Sequence, residues 1–382
     1  MKSQFSSAYE DDYESLMLVY YWWRSAVTFG EAAKFKVELP NVSTLTPTLK
    51  LLRELERLAL MAREGLHELR QKLISYRSGD FWVPTGGMKR EGMDIPPVIT
   101  ILLVGFSGSG KSSLVNLMYS VLGRSGLIPF ASTSSENSAK CTTKFMEEHN
   151  VLRSMQSGFC VYDSRGLDYD LMGESLEEVS EWMTNGVHHN QLCLRTGDNL
   201  MSEEELSEVP SLGSSSKFKL RKVNCAMVVV NIAEIFKSLK KGDWKPLEAT
   251  RELFRCPALK KCNENPILIM THGDLLSTEE RIKIRLTLCE FLGISEATGV
   301  YDIVCLTEYG FLADESDPVT SYALSEAVYR ALLISDRGHI PKRSILDWTL
   351  LALSLLMCYL AAFFAFLADF FSKLGQKKKL KP

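Results

Sequence analysis

The sequence predicts a three-layer α/β fold in which helices cover both faces of a mostly parallel, six-stranded sheet. From residue 95 to residue 335, strand-like and helix-like segments alternate, which is typical of parallel strands joined by helical crossovers. The segment 223–231 is almost entirely apolar, and such continuity indicates a strand buried on both faces. The predicted strands comprise residues 98–104, 144–153, 158–163, 223–231, 266–270 and 302–306.

The chain is expected to divide into three regions, which comprise residues 1–94, 95–335 and 336–382. The first is a helical region with a linker, the second is the α/β domain, and the third is a membrane-spanning tail. Thr46 and Pro47 form a favourable helix start, with threonine as the N-cap. Apolar residues then recur in steps of three and four as far as Leu73, so this helix either docks on its own chain or forms a coiled-coil seam.

The composition of the sequence limits the classes of protein to which the chain can belong. A hydrophobic content of 46% predicts a sizeable folded core, and a formal net charge of −3 gives no reason to expect nucleic acid as a partner. The nine cysteines contain no C-x-x-C pair, which favours reduced thiols facing the cytosol over a disulfide framework.

Residues 348–367 form a stretch of 20 residues without a charged side chain. As a helix the stretch would be about 30 Å long, which matches the hydrocarbon core of a bilayer. It predicts a single-pass C-terminal anchor that leaves the α/β domain in the cytosol. The expected location is the outer membrane of a chloroplast, mitochondrion or peroxisome, or the endoplasmic reticulum. Because the lysines beyond the stretch favour the cytosolic side, a helix lying partly in the membrane interface is the alternative.

The turn after the first predicted strand has the pattern G-x-x-x-x-G-K-S, from Gly105 to Ser112. Backbone N–H groups of such a turn, with the N-terminus of the following helix, bind a polyphosphate. Lys111 is predicted to reach the β- and γ-phosphates, and the Ser112 hydroxyl is predicted to ligate Mg²⁺. The predicted contacts to the nucleotide from this loop are Gly105, Ser107, Gly108, Ser109, Gly110, Lys111, Ser112 and Ser113.

Two later motifs follow predicted strands and indicate which nucleotide binds. The first is D-x-x-G, in which Asp163 is predicted to hold Mg²⁺ through water and the Gly166 N–H to sense the γ-phosphate. The second comprises Thr271, His272, a glycine and Asp274, which is close to the N/T-K-x-D guanine motif. The Asp274 carboxylate can accept from N1–H and the exocyclic amine of guanine, whereas adenine presents no matching donor pair.

With these motifs, the chain resembles the septin-like branch of the GTPases, which includes septins, GIMAP proteins and the Toc receptors of the chloroplast envelope. The resemblance implies a domain that binds GTP or GDP with Mg²⁺ and that often dimerises across the nucleotide. Arg165 stands where the family has proline, and His272 stands where a lysine usually packs along the base. The first-switch threonine implied by the resemblance is Thr142, as a metal ligand, or Thr143, as a catalytic residue beside Lys111 and Gly166. A base-supporting element is implied near 306–308.

Leu167 follows D-x-x-G, where a glutamine would orient the attacking water, so intrinsic GTP hydrolysis is expected to be slow. A partner subunit or an activating protein is then expected to complete the site. Arg165 is interpreted as an exposed arginine of a switch loop, with a cation acting on the transition state as the alternative. The overall prediction is a membrane-anchored, GTP- and Mg²⁺-dependent switch. Two alternatives are a GTP-binding membrane scaffold that does not hydrolyse GTP and an ATP-using P-loop protein.

Overall fold

The computed structural model describes nine stretches of the chain, which comprise residues 46–84, 89–123, 130–131, 144–154, 156–193, 219–260, 265–305, 317–342 and 345–379. The chain forms two compact units. The first comprises Met1–Val83 with Pro96–Gly338, and the second comprises Pro84–Ile95 with His339–Pro382.

A mixed, seven-stranded sheet runs through the first unit in the order β4-β2-β3-β1-β5-β6-β7. The strands are β1 (Ile99–Val104), β2 (Phe145–His149), β3 (Phe159–Asp163), β4 (Gln191–Leu192), β5 (Cys225–Asn231), β6 (Ile267–Thr271) and β7 (Val300–Asp302). Five strands, from β3 to β7 in the spatial order, pair in parallel, whereas β2 is antiparallel to both β3 and β4. The mostly parallel sheet is therefore confirmed, and its count is seven rather than six.

The seventh strand, which the sequence did not predict, is the short edge strand β4. β4 has only two residues, too few to show the alternation by which a sequence indicates a strand. The predicted strand 144–153 is shorter in the structure, ending at His149. The last strand, predicted at 302–306, begins two residues earlier and ends four residues earlier.

The α-helices of the described residues are α1 (Pro47–Ser75), α2 (Lys111–Val121), α3 (Met172–Asn185), α4 (Ile232–Lys240), α5 (Lys245–Arg255), α6 (Thr278–Leu292), α7 (Pro318–Arg337) and α8 (Ile345–Lys379). Short 3₁₀ turns lie at Arg90–Gly92, Pro257–Leu259 and Gly273–Leu275.

Alternate residues of the central strands face two separate cores. Ile101 and Leu103 of β1 pack with α1, α2 and α7, whereas Leu102 and Val104 pack with α3, α4, α5 and α6. Because successive side chains of a strand point to opposite faces, an all-apolar strand requires cover on both sides. The three-layer arrangement predicted from the apolar runs is thus present.

Helix α1 docks on its own chain. The Thr46 side chain caps the helix, and Pro47 occupies its first turn, as predicted. Its apolar seam packs against α7, and a smaller cluster joins its N-terminal half to α6. At its C-terminal end the Tyr76 hydroxyl donates to the buried Asp336 carboxylate of α7 at 2.9 Å.

The second unit contains the apolar tail helix. Its residues Thr349–Ala368 have a mean hydropathy of 2.5, which makes the segment long and apolar enough to cross a membrane. None of this segment is buried within the protein. In the same unit the segments before β1 and before α8 pair with each other, since Asp94 N–H donates to Ile340 O at 2.8 Å and Lys342 N–H to Gly92 O at 2.8 Å.

Candidate functional site

The G-x-x-x-x-G-K-S turn connects β1 to α2, and its glycines fit their surroundings for different reasons. A Cβ on Gly105 would lie 2.2 Å from the carbonyl oxygen of Val229, so only glycine allows this approach to β5. Gly108 and Gly110 have φ values of +73° and +87°, in the left-handed region that favours glycine. The turn therefore curls before α2 begins at Lys111.

Lys111 folds back over the turn. Its Nζ donates to the carbonyl oxygens of Gly105 at 3.0 Å and Phe106 at 3.2 Å, and its side chain is buried. These two hydrogen bonds hold the ammonium group against the backbone of the turn.

The Ser112 hydroxyl and the Asp163 carboxylate meet at the end of β3. Ser112 Oγ donates to Asp163 Oδ2 at 2.5 Å. Asp163 is 1% exposed, and its Oδ1 has no hydrogen-bond partner among the described residues. Burial raises the pKa of this carboxyl, and the charge of Lys111 opposes the rise. A half-buried hydroxyl beside a buried carboxylate with an unused oxygen offers suitable ligands for Mg²⁺, which prefers oxygen donors.

The D-S-R-G loop lies directly on the phosphate turn. Ser107 N–H donates to Leu167 O at 2.9 Å, and Leu167 N–H donates to Gly105 O at 3.0 Å. A Cβ on Gly166 would lie 2.6 Å from Ser107 Cα, so the contact requires glycine. The structure thus places Gly166 beside the phosphate turn.

Leu167 and Arg165 of this loop both point into the protein. Leu167 is 1% exposed and belongs to the core on the α3 side of the sheet. The expectation that Arg165 is exposed is wrong, because its Nη1 donates to the carbonyl oxygen of Cys193 at 2.6 Å and the residue is buried. Cys193 follows the short strand β4, which the sequence pattern does not reveal.

The T-H-G-D segment follows β6 and contacts the phosphate turn from the other side. Thr271 Oγ1 donates to Ser109 O at 2.7 Å. His272 adopts a left-handed conformation, and a Cβ on Gly110 would lie 3.2 Å from its Cε1 atom. Asp274 is exposed in the 3₁₀ turn that follows. Thr271 and His272 therefore join the site, and Asp274 presents its side chain to solvent next to them in sequence.

Two contacts of the site were not predicted. Asn231, at the end of β5, donates from Nδ2 to Gly108 O at 3.3 Å, while its Oδ1 accepts from Glu234 N–H at 3.0 Å. Tyr169 stacks on Phe106 with ring centroids 4.1 Å apart. A polar residue closing an apolar strand was the available signal for Asn231, because ligands of parallel sheets bind at the carboxyl ends of strands.

The site residues gather at the carboxyl ends of β1, β3, β5 and β6. The candidates Thr142 and Thr143, and the segment 306–308, lie outside the described residues. Ser113 lies in the first turn of α2, next to Ser112.

Comparison with known proteins adds little to this description. No protein-family model matches the chain, and no curated protein matches it. One similar solved structure is the signal recognition particle receptor SRb-GTP/SRX complex from Chaetomium thermophilum, at 13% sequence identity and a TM-score of 0.24. The match covers 55% of this chain and 94% of that one. A TM-score this low supports no conclusion about function.

Proposed function

We propose that this protein binds a guanine nucleotide with Mg²⁺ and acts as a membrane-anchored switch with slow intrinsic GTP hydrolysis. The observation that carries the proposal is the meeting of Lys111, Ser112 and Asp163 around a glycine turn at the end of β1. A buried cation at the start of a helix, beside a half-buried hydroxyl that contacts a buried carboxylate, suits a phosphate chain with its metal ion.

Each part of the site has a role in binding. The backbone N–H groups of the turn and the N-terminus of α2 hold the phosphates, and Lys111 neutralises their charge. Ser112 and Asp163 would hold the Mg²⁺ ion, which would neutralise negative charge on the phosphates. Thr142 or Thr143 is proposed to complete the metal site.

Guanine recognition is assigned to the T-H-G-D segment. Thr271 fixes the segment to the phosphate turn through Ser109, and the imidazole of His272 lies against Gly110. Asp274 would accept two hydrogen bonds from guanine, which adenine cannot donate. A site built for two such bonds discriminates strongly against a base that lacks the donors.

The proposed slow hydrolysis follows from the two side chains that point away from the site. Leu167 lies in the core, and Arg165 is engaged by Cys193 O, so neither can orient water or stabilise charge on the γ-phosphate. An activating partner or a second copy of the chain would supply the missing group. The apolar segment Thr349–Ala368 supports attachment to a lipid bilayer, with the nucleotide site in the cytosol.

The test is the identity of the nucleotide that the protein holds. Full-length protein purified in detergent with Mg²⁺ should release GDP or GTP on denaturation, as identified by chromatography. Displacement of labelled nucleotide by ATP as effectively as by GTP would favour the ATP-using alternative. GTP that stays intact over many hours would favour the scaffold alternative.

The proposed recognition of guanine can be tested separately, by a substitution in the T-H-G-D segment. Asp274→Asn should weaken GTP binding and shift the preference toward xanthosine triphosphate. The amide oxygen can still accept from N1–H, but the amide NH₂ faces the exocyclic amine of guanine, whereas it can donate to the carbonyl that xanthine has at that position. Nucleotide titration measures both affinities. Glu290→Gln, which neutralises an exposed carboxylate of α6, is the matched control and should change neither.

A further inference from the structure

A buried ion pair lies directly beneath the T-H-G-D segment. Arg281 of α6 and Asp302 of β7 are joined by two side-chain hydrogen bonds, Nε to Oδ2 and Nη2 to Oδ1, the second at 2.6 Å. Both residues are more than nine-tenths buried. A guanidinium matches a carboxylate in this two-bond geometry, which a lysine ammonium cannot reproduce.

The backbone of Gly273 rests on this ion pair. A Cβ at this position would lie 2.5 Å from Arg281 Nε and 2.9 Å from Asp302 Oδ1. Any side chain would therefore displace either the ion pair or the segment. This contact explains why glycine stands between His272 and Asp274.

The ion pair is itself fixed on both sides. Asp302 ends β7 and lies in register with Met270 of β6, one residue before Thr271. Arg281 lies in the first turn of α6, whose start is held by a capping box between Ser277 and Glu280. The pair therefore joins a strand end and a helix start at the point where the segment turns.

We infer that the Arg281–Asp302 pair positions Asp274 for recognition of the base. The inference rests on the proposed guanine site, since Asp274 acts there only if both of its hydrogen bonds form. A glycine backbone is intrinsically mobile, and the ion pair restricts the turn that places Asp274. Arg281 and Asp302 are positioning residues, because neither reaches the base.

The test compares GTP with inosine triphosphate, which lacks only the exocyclic amine of guanine. Wild-type full-length protein should prefer GTP, because Asp274 accepts from that amine. In Arg281→Lys the preference should fall about tenfold, mainly through weaker GTP binding, since one charge-assisted hydrogen bond is then misplaced. Asp302→Asn should act in the same direction.

Arg285→Lys is the matched control. Arg285 lies one turn further along α6, is equally buried, and donates to the carbonyl oxygens of Glu296 and Val300 rather than beneath Gly273. This variant should lower the melting temperature while keeping the preference for GTP. A purely structural role for Arg281 would make the two arginine variants alike in both measurements.

The possible results distinguish a failure of the positioning role from a failure of the proposed guanine site. If wild-type protein binds neither GTP nor inosine triphosphate, or binds both equally, the guanine assignment is wrong. If wild-type protein prefers GTP and folded Arg281→Lys retains that preference, the positioning role is wrong. Should Arg281→Lys fail to fold, Gly273→Ala breaks the same contact by displacing either the segment or the pair, and an unchanged preference in that variant overturns the inference equally.

Discussion

At the scale of single residues, the phosphate end of the site depends on two buried charged side chains. Lys111 and Asp163 are both buried, and their opposite charges lie close to the backbone of the phosphate turn. Burying a charge is costly unless it is paired or coordinates a metal. We therefore expect the site to be less stable without its ligand than with it.

Asp163→Asn tests both the cost of burying this carboxylate and its proposed role as a metal ligand. Because burial raises the pKa of Asp163, the folded protein holds its proton more tightly than the unfolded chain does. Stability of the ligand-free protein should then fall as the pH rises through the usual aspartate value toward the raised one. The asparagine variant should lack this fall, and it should also lose the Mg²⁺-dependent part of GTP affinity. Melting curves at several pH values and titrations with and without a chelator measure the two effects, and an unaltered magnesium dependence would argue against a metal role.

Leu167→Gln tests why hydrolysis is expected to be slow. The leucine side chain is in the core, so the glutamine amide would be buried at a cost of about 1–3 kcal/mol in stability. The variant should unfold at lower urea concentration and should hydrolyse GTP no faster than wild type in single-turnover assays. A marked acceleration would show that residue 167 can face the γ-phosphate.

Sequence motifs predict residues of this site when their spacing is fixed by one turn. Lys111, Ser112 and Thr271 fall in short motifs next to strands, and the structure brings them together. Arg165 and Asn231 are different because their partners, Cys193 O and Gly108 O, belong to segments remote in sequence. No local pattern encodes such contacts.

At the scale of elements, the docking of α1 depends on one carboxylate. Asp336 of α7 is fully buried and accepts from Tyr76 Oη at 2.9 Å, Gly79 N–H at 3.0 Å and Phe81 N–H at 2.9 Å. It thereby fixes the segment after α1 to the C-terminal end of α7. The periodicity of α1 predicts its apolar face, but not this polar anchor, which lies 260 residues away from Tyr76.

Asp336→Ala should be strongly destabilising. The change leaves a buried hydroxyl and two N–H groups without their acceptor, which should cost about 3 kcal/mol or more. Urea unfolding of the full chain in detergent measures the loss. Glu64→Ala, at an exposed position of α1, is the control and should stay within about 0.5 kcal/mol of wild type. Equal stability of the two variants would contradict the assigned role.

At the scale of the whole molecule, the α/β unit and the tail helix differ in what covers their apolar side chains. The first unit buries its apolar strands between two layers of helices, whereas the tail helix leaves Leu356 and Phe364 more than half exposed. Such an exposed apolar helix is unfavourable in water and favourable in the hydrocarbon core of a bilayer. Length and composition were sufficient to predict a long apolar helix here, because its uncharged residues are continuous in sequence.

Charge in the middle of that helix should release the protein from membranes. Each arginine at the centre of a span costs about 2.5–3.5 kcal/mol, so a protein carrying both Leu356→Arg and Phe363→Arg should be extracted by alkaline carbonate. Wild-type protein should resist this wash. Ile340→Arg, an exposed position before the helix, is the control and should behave as wild type. Extraction of wild-type protein by the same wash would contradict a membrane-spanning tail.

The most direct test of the account is calorimetry of the full-length protein with GTP and GDP in the presence of Mg²⁺. We expect saturable heat with about one nucleotide per chain, and we expect ATP not to compete with GTP. The signal should be lost in Lys111→Ala. It should be retained in Lys241→Ala, which changes an exposed lysine just beyond α4. Absence of heat with both nucleotides, on protein shown to be folded and free of bound nucleotide, would contradict the proposed function.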